Sequence, residues 1–477
     1  MKRIYTKKIS HKTKAFTAVI ALTALMTACG ADYTKIVAEP ERQFYMGKPV
    51  QAARAFIPHI NKSGKDQLLF CMEAGLMLHT GDNYAKSNQV FGKASKVLAN
   101  MSTSITKQAA SLFLNERSTN YKGEDFEKVL VHMYMGINYL MLEKPDSARV
   151  EFKKVNDELS RIKKQTGKNY RQNIMAKYLT AISYEMVGDI DKDANAWEYA
   201  YIEYKQIVKL NPGLRMVRRD LQRMAKKLKY GDDYRKLIRQ YGKQDRLPYN
   251  AGELVVIYQA GRSAIKKSRG KLISDRAMWS AVNVSLNTRS LAAGLTIATI
   301  VASLRKAEHP IPYFGKRSNR INQLRIKIKN RTISRTRQLE DIETTAVMTL
   351  RDDYGRLYKK VAAGIVTKAV TALAAGIAAK QIAKNSGNSY LKLFSGLIGA
   401  AAGAGTAAAL ISQIKPDLRC WHSLPANLQF DRIFLRPGKY TLKLEFVGKN
   451  GAVARTETDE IEIKKGKKSF VNYRTLY

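Results

Sequence analysis

Cysteine and histidine are the side chains best suited to chemistry in a chain this basic, and its 477 residues hold only 3 and 6 of them. The histidines are His11, His59, His79, His132, His309 and His422, and no two stand at a metal-ligand spacing such as His-Glu-x-x-His. No Gly-x-Ser-x-Gly elbow and no Walker loop occurs, and the glycine-rich stretches read as helix interiors rather than strand-to-helix turns. Asp352 and Asp353 are neighbours that project to different faces of a helix, which makes them solvated charge rather than an acid–base pair. The sequence therefore calls for no catalytic residue, no metal and no cofactor, and the chain reads as non-enzymatic. Trp421-His422 is the best isolated candidate for a binding site; an indole packed under the C-terminal strands is the plainer reading of the same residues. Cys71 lies in an apolar helical run, Leu68-Leu69-Phe70-Cys71-Met72, and both it and Cys420 are expected to be free. That leaves Cys29.

Residues 1–14 carry Lys2, Arg3, Lys7, Lys8, Lys12 and Lys14 without an acid, and an uncharged stretch then runs to Leu25-Met26-Thr27-Ala28-Cys29. A basic start, a short apolar core and small residues before a cut site form a secretory signal. The apolar part falls short of the roughly 20 residues of a spanning helix. The last five residues resemble the bacterial lipobox, with Met26 where leucine is usual. That likeness implies a diacylglycerol thioether on Cys29, removal of 1–28 and a lipid-anchored tether over 29–48. Gly30 and Ala31 follow, with no aspartate directly after Cys29, which in enteric-type sorting implies the outer membrane, facing the periplasm.

The elements behind these residues need cores, and 45% hydrophobic against 26% charged residues is enough to build them. Residues 49–246 read as helices with the periodicity of tetratricopeptide (TPR) repeats. The clearest repeat runs through Gly136, Tyr139, Ala148 and Phe152, where small residues let two helices approach and aromatics fill the gap. A second holds Ala181, Tyr184 and Trp197, with an altered turn at Asp193. A third holds Ala74, Phe91 and Ala94, slipped by one residue. Leu214, Val217, Leu221, Met224 and Leu228 continue an apolar stripe whose other faces are basic. That helix is either a solvated cap or a surface facing anions.

From 247 to 338 the texture is strand-like and basic. Glu253–Tyr258 reads as a buried strand, and Ile321–Ile333 as a strand with one apolar and one basic face. Lys316, Arg317, Arg320, Arg325, Lys327, Lys329, Arg331, Arg335 and Arg337 make the densest positive patch, a candidate anion-binding surface. No aromatic lies within the run, so nucleic acid is not the expected partner. Residues 339–413 read as a helical hairpin rich in Ala and Gly, broken at Asn385-Ser386-Gly387-Asn388, with Gly399 and Gly403 spaced for close helix contact. A tightly packed buried hairpin is the expected reading, with membrane insertion and a rearranging assembly element as the alternatives. Residues 414–477 alternate as strands with turns at Arg436-Pro437-Gly438 and Asn450-Gly451, a small antiparallel sandwich.

The fold class is thus α+β, mainly α: a TPR-like solenoid, a mixed region with an Ala/Gly hairpin, and a C-terminal β module. The order of these parts resembles a family of TPR-bearing lipoproteins of Gram-negative bacteria with no assigned activity. The likeness is carried by Gly252-Glu253-Leu254-Val255-Val256, Pro310-Ile311-Pro312-Tyr313, Asp417-Leu418-Arg419-x-Trp421-x-x-Leu424-Pro425 and Pro437-Gly438-x-Tyr440-Thr441-Leu442. Cys420 stands where a small polar residue is expected. The resemblance implies an envelope scaffold or assembly factor, anchored by its lipid, for periplasmic or secretion-system proteins. The alternative is a membrane- or polyanion-binding protein that uses the 316–337 patch and the 361–413 hairpin, with anionic lipid or lipopolysaccharide as counter-charge; a net charge of +43 favours such partners.

Overall fold

The computed structural model describes residues 33–104, 119–166, 173–244, 247–280 and 301–476; the segment read as a secretory signal and Cys29 lie outside them. Three short helices open it: α1 (Tyr33–Tyr45), α2 (Pro49–Arg54) and α3 (Ile57–Ile60). Antiparallel pairs follow: α4 (Gln67–Thr80) with α5 (Tyr84–Ser104), α6 (Asp125–Met141) with α7 (Pro145–Thr166), and α8 (Ile174–Asp191) with α9 (Ala194–Leu210). The helices α10 (Arg215–Lys227) and α11 (Gly231–Tyr241) end the stack.

Glycine sets the closeness of each pair. A Cβ on Gly136 would stand 2.4 Å from the Phe152 ring, and one on Gly75 would stand 2.6 Å from the Phe91 ring. The two pairs are equivalent, so the slip read at Ala74 disappears once Gly75 takes the small-residue place. The third pair differs. Its turn is only Lys192-Asp193, with Lys192 left-handed at φ 56° and the Asp193 carboxylate accepting from the Asn195 N–H. Trp197 packs there against Gly188 and donates its indole N–H to Asp189 Oδ1 at 3.0 Å. Ala148 and Ala181 are buried, while Tyr139 and Tyr184 are half-buried.

The strands do not divide where the sequence changes texture. One sheet has the order β10 (Lys468–Arg474), β1 (Gly252–Ala260), β7 (Asn427–Leu435), β6 (Arg337–Asp341); the other runs β5 (Arg331–Arg335), β4 (Ile321–Ile328), β8 (Gly438–Gly448), β9 (Val453–Ile463). A short ribbon, β2 (Ile265–Lys267) with β3 (Tyr313–Gly315), stands apart. Residues 247–338 and 414–477 thus share both sheets. The β1–β10 ladder is parallel, unlike the antiparallel rest. Leu254, Val256 and Tyr258 of β1 pack into the sandwich with Leu324, Phe446 and Leu444, while Val255 and Ile257 on its other face join the core of the solenoid. Burial on both faces explains why this strand is apolar throughout.

Two readings need correction. Ile321–Ile333 is a hairpin, because Lys329 and Asn330 both adopt left-handed angles (φ 47° and 65°) and turn β4 back into β5. The turn at Arg436-Pro437-Gly438 carries the chain from one sheet to the other rather than closing a hairpin.

The hairpin is α12 (Ile342–Lys384), α13 (Ser389–Leu393) and α14 (Ser395–Ser412). Asp341 caps α12 by accepting from the Thr344 N–H at 2.9 Å. The two long helices touch along glycine: a Cβ on Gly376 would lie 2.8 Å from Gly399 O and 3.2 Å from Gly403 Cα. At 43 residues α12 is about 65 Å long, and the hairpin's root packs on Leu272, Met278 and Leu304. Its far end does not sit in the body of the protein. Both α12 and α14 are long and apolar enough to cross a membrane by length and composition, and only 33% and 28% of their apolar windows are buried. The expectation of a buried hairpin therefore holds at the root alone.

Candidate functional site

In a TPR-like stack, the first helices of the pairs make the face that would receive a partner. Here Leu68–Met77 of α4 and Met175–Ser183 of α8 are buried in unbroken runs, so something covers that face. The cover is the chain's own segment 417–434 together with β1.

Each first helix carries one glutamate amid its apolar residues, and each glutamate meets this cover. Glu73 of α4 accepts the backbone N–H groups of His422 (2.6 Å) and Ser423 (3.1 Å) and the Tyr33 hydroxyl (3.1 Å). Glu127 of α6 accepts the Trp421 N–H at 2.7 Å and, through its other oxygen, the Glu124 N–H at 2.9 Å. Glu185 of α8 takes the Arg432 guanidinium at 2.7 and 3.1 Å. Carboxylates that receive backbone N–H groups hold an extended segment much as they would hold a bound peptide.

Side chains complete the clasp. The Trp421 indole is fully buried, 5.9 Å from the Phe91 ring and 6.0 Å from the Tyr134 ring, and donates to Ser423 Oγ at 3.0 Å. It thus packs between solenoid helices rather than under the sandwich. Arg419 binds Asp417 and Asp66, each at 2.7 Å. Arg317 donates to the carbonyls of Ser263 and His422, both at 2.6 Å, and to the Tyr45 hydroxyl at 2.9 Å. His79 Nδ1 donates to Asn138 Oδ1 at 2.5 Å, while its Nε2 accepts from Gln259 at 2.7 Å. Burial pulls its pKa down to about 4, so the ring is neutral.

Between α8, α10 and the first sheet lies an ion cluster. Arg432, wholly buried, is ringed by Glu185, Glu253 (2.8 Å) and Asp220 (3.3 Å), and it also donates to the Tyr204 hydroxyl at 3.0 Å. Lys468 reaches Asp189 at 3.1 Å and both Glu185 and Glu253 at 3.4 Å. Burial alone would raise the Glu185 carboxyl; Arg223, Arg432 and Lys468 outweigh it and hold it well below the usual carboxylate range.

Glu127 goes the other way. Burial, then the neighbouring Glu124, pushes it up to about 7. An acid with a raised folded pKa contributes stability that is fully present below its unfolded value, about 4.3, and lost as pH climbs through the folded one. Glu127→Gln should therefore abolish a loss of about 3 kcal/mol between pH 4 and pH 8. Urea unfolding of both proteins across that range reads the difference.

The nine basic residues singled out between 316 and 337 stand in different surroundings. Arg317 belongs to the clasp. Lys316 pairs with Glu343 at 3.3 Å, and Arg325 and Lys327 share Glu445 at 3.2 and 2.7 Å. Arg320, Lys329, Arg331, Arg335 and Arg337 are exposed. Cys71 and Cys420 are separate free thiols, and burial pushes the Cys71 thiol up to about 12. Among the described residues no group of three His, Cys, Asp or Glu side chains is placed to hold a metal.

The clasp was not foreseen from the sequence. Its one signal was a single glutamate amid the apolar residues of each first helix, a pattern that demands a buried donor somewhere else in the chain.

No protein-family profile matches the sequence, and no curated protein matches it. Solved structures of helical repeats do align with part of it. MamA from Desulfovibrio magneticus RS-1, residues 41 to the end, is 14% identical over 46% of this chain and 100% of its own, with a TM-score of 0.29. A double mutant of MamA RS-1 is 13% identical over 44% and 96%, with a TM-score of 0.29. A Podosopora anserina kinesin light chain protein of nearly identical TPR-like repeats is 11% identical over 43% and 91%, again at 0.29. The alignments run over less than half of this chain, and nothing about its activity follows from them.

Proposed function

We propose that this chain is a non-enzymatic cell-envelope lipoprotein, anchored through acyl chains on Cys29 in the outer membrane facing the periplasm. There it serves as a scaffold or assembly factor for envelope or secretion proteins. One observation carries the reading: the first-helix face is closed by the chain's own segment, which leaves the second-helix side for a partner. On that side Val150 of α7 and Tyr199 and Ile202 of α9 are between 41% and 54% exposed. Tyr184 links them, with the Arg149 guanidinium 5.3 Å above its ring and the Tyr199 ring 5.2 Å away. Helical-repeat stacks present extended surfaces of this sort to protein partners.

A second reading rests on the hairpin tip. Ile377, Ile382, Tyr390, Leu393 and Leu397 are 60–76% exposed there, and Lys380, Lys384 and Lys392 stand among them. No acid occurs between Asp353 and Asp417. Exposed apolar and basic residues together suit the surface of an anionic bilayer.

Photo-crosslinking in the native envelope separates the two. With the reactive group at Tyr199, a recurring protein adduct that survives high salt is expected, since apolar contacts are not screened. With the group at Leu397, lipid adducts are expected if the tip meets a membrane. Lipid or lipopolysaccharide at both sites, with no recurring protein, would overturn the scaffold reading. Cys29→Ser should move the protein out of the membrane fraction; a chain that stays there has another anchor.

A further inference from the structure

We propose that the cavity at the root of the hairpin binds an anionic amphiphile, an acyl chain ending in a carboxylate or phosphate, with Lys368 receiving the charged head. The cavity measures about 600 Å³ and lies between the 119–124 loop of the solenoid, the Pro310–Pro312 segment and the facing side of α12. That volume is within the range of small-molecule sites.

Its walls are of two kinds. Leu357, Val361 and Ile365 recur every four residues along α12 and form an apolar strip, with Ile311 and Ile414 also lining the cavity. Lys368 stands three residues beyond the strip, on the same face, and is only 7% exposed. Its ammonium donates to the Leu410 carbonyl at 3.2 Å, and no carboxylate lies within 4.0 Å of it among the described residues. Burial draws its pKa down accordingly. The other buried lysine of the cavity, Lys266, is matched by Glu124, which together with Asp417 outweighs burial and raises the Lys266 pKa. Among the described residues, one buried ammonium thus has its counter-charge from the protein and the other does not. An unmatched buried charge is costly, and a ligand anion at the end of an apolar strip would relieve it. The apolar wall, which a free phosphate would leave unused, fixes the class as amphiphilic. The cavity lies apart from the exposed tip and shares Asp417 and Arg419 with the edge of the clasp, and the proposal stands or falls apart from the scaffold reading.

The test uses the purified full-length chain and four probes below their micellar concentrations: dodecanoate, dodecyl phosphate, dodecanol and inorganic phosphate. Calorimetry should show one site for dodecanoate or dodecyl phosphate, or for both, at least tenfold tighter than dodecanol or phosphate alone. Which of the two heads binds more tightly identifies its chemistry. Lys368→Met should reduce the charged amphiphile to the affinity of dodecanol while leaving dodecanol unchanged, a shift that lost packing alone would not produce. Gly364→Leu, which places a side chain in the cavity wall at a helical position, should remove binding of all three chains. Equal binding of dodecanoate and dodecanol, binding that Gly364→Leu leaves intact at the tip, or no binding at all would overturn the proposal. If Lys368→Met fails to fold, the four-probe comparison and Gly364→Leu still decide it.

Discussion

Arg432→Met should lower the stability of this protein by about 3–5 kcal/mol, the usual cost of removing one member of a buried ion network. The substitution keeps an unbranched apolar stem but shortens the side chain and removes its charge, leaving Glu185, Asp220 and Glu253 around an apolar group. Lys468 and Arg223 remain as partial compensation. Urea unfolding, with the midpoint and the slope both fitted, measures the effect. A combined variant sharpens it: adding Glu185→Met and Glu253→Met should recover much of the loss, because a well-packed apolar cluster often matches a buried ionic one. A loss below about 1 kcal/mol for the single change would mean that the cluster is solvated and does not weld the solenoid to the sheet.

Trp421→Ala should be comparably damaging, about 3–5 kcal/mol for a fully buried tryptophan, and its local consequence is more informative. The indole is wedged between Phe91 and Tyr134, and without it the segment is held by the hydrogen bonds to Glu73 and Glu127 and by Arg419. Arg419 is buried in the intact protein. Trypsin should therefore spare it in the wild type and cut after it in the variant, before global unfolding. Tyr249→Ala, at a side chain 83% exposed, is the control and should change neither property. Continued resistance in Trp421→Ala would mean that the polar contacts alone hold the cover in place.

Local pattern carried the elements well. The apolar run at 254–258, the glycine spacing of the hairpin and the Gly136–Phe152 repeat each depend on residues close in sequence, and each is visible there. What failed was of two kinds. The β4–β5 turn has no glycine; Lys329 and Asn330 take left-handed angles because the strands on either side pair, a tertiary cause with no local sign. The clasp joins Glu73 to Ser423 across 350 positions, and the cluster joins Glu185 to Arg432 across 247. A single sequence reveals only half of such a bond: a buried acid with no visible reason to be buried. The pairing inside the basic patch is hidden for the same reason, since Glu445 and Glu343, which neutralise part of it, come from distant strands and helices.

The parallel ladder between β1 and β10 has a consequence for how the protein is made. Strand β1, one of the two inner strands of its sheet, is emitted early, yet its neighbours β7 and β10 leave the ribosome or a translocation pore far later; the Tyr258–Thr475 contact spans 217 positions. Until the final segment emerges, β1 has a vacant flank of backbone donors and acceptors and an uncovered apolar surface. Maturation must therefore be slow and nearly all-or-none in this half of the molecule. A holding factor that shields the nascent strand would increase the yield of native protein more than any change to the helices that precede it.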